Sequence, residues 1–261
     1  MSDVSKLVVT GLACLAIGAV AGNYLPSAGT GVSTGVSEEI SSDRVKAIVA
    51  DYISNNPEQI VAALQGMQAK AAAKQQAQTA GALKDFLPAI MNADNSPTAG
   101  TGKSGIVIAE FFDYRCGYCK RMANTVQQLL EKHPDIKVVF KEFPILSEGS
   151  RKAAMASLAI NYLKPKRYMD YHMMLMKHNG EYDQAALNDY AGQVQVDIAA
   201  FEKEMNGARV AKEIQAVADV AGKTGIQGTP ALVLDGELIP GAIPFADVDA
   251  RITALKAKMK K

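Results

Sequence analysis

The chain has no tryptophan, three histidines and only three cysteines in 261 residues. So few cysteines exclude a secreted domain stapled by several disulfides, which needs more of them at wider spacing. Charge of one sign is missing too. Lysine plus arginine (28) and aspartate plus glutamate (27) nearly cancel, leaving neither a broad basic field for nucleic acid nor an acidic tail. The basic end "KAKMKK" is short and reads as solvated. A long apolar run is also lacking: residues 7–21, after a short polar start with Lys6, fall short of the roughly 20 residues of a membrane span. With the small-residue pattern Ala19-Val20-Ala21 behind it, that run reads as a secretory signal over 1–21, with an uncleaved inner-membrane anchor and a lipoprotein signal ending at Cys14 as alternatives. Cleavage after Ala21 leaves the exported chain with Cys116 and Cys119 alone.

What is present is enough for a core, since 48% of the residues are apolar. Residues 22–37 are rich in Gly, Ser and Thr and form a flexible leader. Two helical patterns follow within 38–94. The first carries Val45, Ile48, Val49, Tyr52 and Ile53 at spacings of three and four, and Asn55-Asn56-Pro57 separates it from the second. The second bears Ile60, Val61, Leu64 and Met67, then an alanine-rich middle with little to bury, then Leu83, Phe86, Leu87 and Ile90. A continuous helix over 57–91 is on the order of 50 Å long, which suits an oligomerising arm better than packing on its own domain.

A linker of turn formers over 95–104 leads to a different pattern over 105–261. "IVIAEFFDY" reads as a buried central strand, Cys119 to His133 as a helix, and "IKVVFKEFP" as a second strand parallel to the first. A helical insert occupies about 150–220, broken near Pro165, at "HNGEY" and at Gly207. "ALVLDGELIPG" reads as a hairpin turning at Asp235-Gly236, and a helix closes the chain.

The cysteines stand in "EFFDYRCGYCKR", between strand and helix. That position places Cys116 at the helix amino end, where free N–H groups and partial positive charge favour thiolate, and Cys119 one turn in and covered. Arg115, Lys120 and Arg121 add positive charge. Gly117 and Tyr118 make the bend between the sulfurs. A lowered thiol pKa makes Cys116 the attacker and the better leaving group, with Cys119 resolving the mixed disulfide. Two cysteines fail as a zinc site, and His133, His172 and His178 are not at ligand spacing from them. Methionines around His172 and His178 in "YMDYHMMLMKH" admit weak copper binding or a grip on unfolded chains, but helical core filling accounts for them, so no metal is expected.

These residues, together with "KEFPIL", Ser150 and the alanine-rich helix after it, "GTPALVLDG" and "IPGAIP", resemble the DsbA-like thioredoxin-fold family. From Ser41 onward the chain resembles its subgroup with an amino-terminal oligomerisation region, to which the ScsC proteins belong. The resemblance implies an α/β thioredoxin fold with a helical insertion, preceded by a helical arm, and dithiol-disulfide exchange on exported proteins in the periplasm or bacterial cell envelope. It implies Cys116 as nucleophile and Cys119 as resolving cysteine, and no cofactor beyond that redox-active pair. Pro230 matches the family's cis-proline beside the cysteines, with Thr229 offering backbone groups to a substrate strand. Glu110 matches a buried acid that passes protons to or from Cys119. Oxidases of the DsbA type usually have Pro-His between the cysteines and Val before the cis-proline. Cys-Gly-Tyr-Cys and Thr-Pro instead resemble the DsbC and DsbG isomerases. The resulting expectation is a homodimeric or homotrimeric isomerase or reductase with some oxidase activity, served by a membrane redox partner of the DsbD or DsbB type. A monofunctional oxidase and a non-enzymatic periplasmic chaperone or surface protein are the alternatives.

Overall fold

A computed structural model describes residues 41–92 and 94–259; the segments read as signal and leader lie outside the described residues, as does Cys14. Two compact units divide near residue 60. In the first, α1 (Ser42–Asn55) is capped by the Ser41 hydroxyl, which accepts from Arg44 N at 3.3 Å. Its apolar stripe, Val45, Ile48, Val49, Tyr52 and Ile53, is exposed. Asn56 ends α1, and Pro57 takes the first turn of α2 (Pro57–Met91).

In the second unit a five-stranded sheet has the order β1-β3-β2-β4-β5. Its members are β1 (Thr98–Ala99), β2 (Val107–Phe112), β3 (Lys137–Glu142), β4 (Ala231–Leu234) and β5 (Glu237–Pro240). Strands β2 and β3 are parallel, with Glu110 opposite Phe140, and the remaining pairs are antiparallel. The parallel pair is joined through α3 (Gly117–Lys132), as a crossover connection requires. Strand β1 falls inside the segment read as a linker; two residues of "SPTAG" are too few to show an alternating pattern. At the β4–β5 turn Asp235 and Gly236 both have positive φ, the backbone that a tight two-residue hairpin demands.

Because helices cover both sheet faces, the central strands carry apolar residues on both. One face presents Ile108, Phe112, Val138, Phe140 and Leu232 to α3, α4 (Glu148–Leu163), α5 (Tyr168–Lys177) and α9 (Phe245–Met259). The other presents Ala109, Phe111, Val139 and Val233 to α8 (Ala208–Thr224) and to Leu83 and Ile90 of α2. The last turns of α2 therefore belong to the core of this unit. Lys141 fixes that end: buried on β3, its ammonium donates to Ala89 O (3.3 Å), Asn92 O (2.8 Å) and Ser96 Oγ (2.9 Å). The insert also contains α6 (Gln184–Gln193) and α7 (Ile198–Met205), and α8 ends on Gly225 in the left-handed region.

Candidate active site

Strand β2 delivers Asp113, Tyr114 and Arg115 to the carboxyl end of the sheet, and the chain then turns into α3 with Cys116 as its N-cap. The turn is held by one carboxylate. Asp113 is buried, its Oδ1 accepts from Arg115 N (2.7 Å), and its Oδ2 accepts from Ile145 N (2.9 Å) and Leu146 N (3.0 Å) beyond β3. Its own carbonyl accepts from Cys116 N at 3.1 Å. A buried carboxylate is tolerated only with such donors, so this group locks two loops together.

Both thiols are free. Cys116 Sγ accepts from Cys119 N at 3.4 Å and donates to the Thr229 carbonyl at 3.3 Å. The sulfur thus lies between a helix amino end and the loop entering β4, where the Thr229–Pro230 bond is cis. Cys116 is less open than its place in the sequence suggests, with 7% of the residue exposed, because the Thr229 loop leans over it. Cys119 has no exposure, and burial pushes its thiol well above the ordinary range. Gly117 leaves open space where a side chain would stand, and Tyr118 is 60% exposed with the Arg121 guanidinium 4.3 Å from its ring centroid. A groove of about 310 Å³ is lined by Ile226, Gly228, Thr229, Pro230, Leu238 and Pro240, so it shares with the cysteine pair the Thr229 residue that accepts from Cys116.

Glu110 lies on the sheet face that α3 covers, the face against which Cys119 packs. It is buried, one carboxyl oxygen has no partner, and burial pushes its pKa from 4.5 up to about 8. A further buried acid, beyond Glu110 and Asp113, carries no signal in the sequence. Glu142, on the same face two residues further along the parallel pair, accepts from Tyr114 Oη at 3.1 Å. Tyr114 Oη also lies 2.7 Å from Ser157 Oγ and 2.9 Å from His172 Nδ1. Burial first, with the nearby Asp113 and Glu110 charges adding, raises Glu142 well above the carboxylate range. His172, enclosed by Phe112, Tyr114, Phe140 and Tyr168, is pushed by burial down to about 3 and stays neutral. Its neighbour Met176 is buried in the core.

The insert reaches the site through residues 178–182. Tyr182 Oη donates to Tyr114 O at 3.0 Å, Lys120 donates to the His178 carbonyl, and Arg115 forms an ion pair with Glu181. The cations expected around the cysteines are therefore already engaged. Among the described residues no helix is long and apolar enough to cross a membrane.

The model of the DSBA-like thioredoxin domain family matches residues 107–253, which include the cysteine pair, the insert and the Thr229 loop. The chain belongs to this family. Among solved structures, this DsbA-like chain is similar to the thiol-disulfide exchange protein alpha-DsbA2 of Wolbachia pipientis. The identity is 26%, the TM-score 0.65, and the match covers 70% of this chain and 98% of that one. It is also similar to Proteus mirabilis ScsC in a transitional conformation, at 31% identity and TM-score 0.63, covering 83% of this chain and 97% of that one. A curated relative, the Na(+)/H(+) antiporter NhaA 1 of Salinispora arenicola, is 23% identical over 164 residues, 63% of this chain. The chain spans only a quarter of that antiporter's length. The fold is thus the DsbA-like thioredoxin fold with its helical insertion, as the resemblance implied.

Proposed function

We propose that this DsbA-family chain is a thiol-disulfide isomerase or reductase for exported proteins, with some oxidase activity, working in the bacterial cell envelope. The observation that carries the reading is the position of Cys116 Sγ, between the α3 amino end and the Thr229 carbonyl, with Cys119 enclosed one turn behind it. In reduction or isomerisation the Cys116 thiol gives up its proton to solvent, its sulfur attacks one sulfur of a substrate disulfide, a protein-substrate disulfide forms, and the other substrate sulfur leaves as thiolate. The Cys116 S–H is then gone, so the Thr229 carbonyl is released to accept from a substrate backbone N–H. Either Cys119 attacks Cys116 and frees a reduced substrate, or a second substrate thiolate attacks and frees a rearranged one. Cys119, whose thiol burial holds protonated, needs a base; Glu110, poised near 8 on the same sheet face, is suited to take that proton.

Isomerisation is favoured by gathering several sites on one misfolded chain. The exposed stripe Val45, Ile48, Val49, Tyr52, Ile53, with Ile60, Val61, Leu64 and Met67 following on α2, supports assembly of two or three chains through 38–94. Partners are then cysteine-containing unfolded proteins and a DsbD- or DsbB-type membrane protein. Cutting the chain near residue 95 would strip Leu83 and Ile90 from the core, so the test uses the full chain. Wild type and Ile48→Asp/Leu64→Asp are compared on scrambled ribonuclease and by mass in solution. The double variant is expected to be a monomer that still exchanges thiols but no longer isomerises. Equal isomerase rates remove the arm's role, absence of isomerase activity in wild type with retained oxidation leaves a monofunctional oxidase, and full biological function of Cys116→Ala favours a chaperone.

A further inference from the structure

The turn of the insert at 178–182 touches the cysteine segment at three places. Lys120 donates to His178 O and to Asn179 Oδ1 (3.4 Å), Tyr182 Oη holds Tyr114 O, and the Arg115 guanidinium pairs with Glu181. Arg115 is the residue immediately before Cys116, and its backbone N is fixed by Asp113. Its side chain rests on Gly149, where an added Cβ would meet Nε at 3.2 Å, and its guanidinium carbon lies 5.3 Å from the Tyr182 ring centroid. The direction taken by this cation is therefore built by two elements and does not follow from its place in the loop. Of the other charged groups around the loop, Asp113 is committed to three backbone N–H groups, Lys120 to the turn, and Arg121 to Tyr118.

We propose that Glu181 is a positioning residue for the cysteine pair: by pairing with Arg115 it withholds that positive charge from the Cys116 sulfur and keeps the disulfide less oxidising than an unpaired Arg115 beside the helix amino end would make it. This rests on the exchange reading above and deepens it, because it assigns to the helical insert a control over the direction of exchange. The reaction concerned is the Cys116–Cys119 disulfide plus two glutathione thiols giving the dithiol plus glutathione disulfide. Two electrons and two protons pass to the protein. Only the dithiol state carries a sulfur that ionises, so uncompensated positive charge beside Cys116 favours that state and an added negative charge disfavours it. An Arg–Glu pair presents a dipole whose field falls off faster than that of a bare cation.

The test is the equilibrium of the full-length protein with reduced and oxidised glutathione at neutral pH, read by alkylation and mass. Glu181→Gln is expected to raise the constant for formation of the dithiol about threefold at low ionic strength, and the rise should shrink towards one in about 0.5 M salt. Glu181→Asp should keep the wild-type value. Arg115→Gln should lower the constant, and Arg115→Gln/Glu181→Gln should return close to wild type. An unchanged constant in Glu181→Gln overturns the inference, as does a shift that salt leaves untouched, since that would mark a packing effect. A wild-type chain that never equilibrates with glutathione overturns the exchange reading itself, so the two failures are told apart. The Glu181 side chain is 79% exposed, so its replacement leaves the core intact.

Discussion

Glu110→Gln isolates the cost of keeping an acid beneath the cysteine helix. Burial raises the Glu110 carboxyl from 4.5 to about 8, so the folded chain binds a proton there that the unfolded chain has released between those two values. By linkage the wild-type protein is fully stable with respect to this group below about 4.5 and loses stability as pH rises towards 8, beyond which the loss is constant. With about 1.4 kcal/mol per pKa unit, the penalty is about 3 kcal/mol at pH 7 and about 5 kcal/mol at pH 9. Glutamine keeps the shape without the charge. Urea unfolding of both proteins from pH 4 to 9 should show a stability difference near zero at the acid end and a plateau in favour of Glu110→Gln above pH 8. Glu142 titrates in both proteins, so it largely cancels in the difference. A difference that stays flat across the range would place the carboxyl in contact with water or with a cation and exclude a desolvated acid at this position.

Asp113→Ala leaves Arg115, Ile145 and Leu146 N–H groups without an acceptor and should cost about 2–4 kcal/mol in urea unfolding. A loss below about 0.5 kcal/mol would mean that the two loops are held by other contacts. Lys141→Met removes the donor to Ala89 O and Asn92 O at the end of α2 and should cost a similar amount, about 2–4 kcal/mol. Hydrogen exchange should rise at the end of α2 and around Ser96 and stay low in α3; a uniform rise would contradict a local anchor.

How far the fold could be read from sequence depends on where each residue's partner sits. The β2–α3–β3 unit was legible because an apolar run, a capped helix and a second apolar run follow one another directly, and Asp235-Gly236 announced its hairpin by the backbone it requires. Lys141 and Glu142 were not, because two adjacent charges near the end of a strand ordinarily read as solvated. Here both are buried, on opposite faces, since helices cover the sheet on both sides. Their partners, Ala89 and Asn92 for one and Tyr114 for the other, lie at least 28 residues away, beyond the reach of any local pattern. Leu83 and Ile90 stand on an apolar side of their helix, but periodicity says which side of a helix is apolar and not what covers it. At the site, the cysteine pair, Thr229 and Pro230 stood out by spacing and resemblance, whereas Asp113 and Glu181 act through loops that meet only after folding.

Thiol-disulfide exchange at this site requires that Cys116 is the sulfur that meets foreign thiols and that Cys119 is screened from them. The direct measurement is a brief alkylation pulse on the fully reduced wild-type protein at neutral pH, mapped by mass spectrometry. Label is expected on Cys116 and not on Cys119; label on Cys119, or on neither cysteine while the protein remains folded, would exclude Cys116 as the exposed nucleophile.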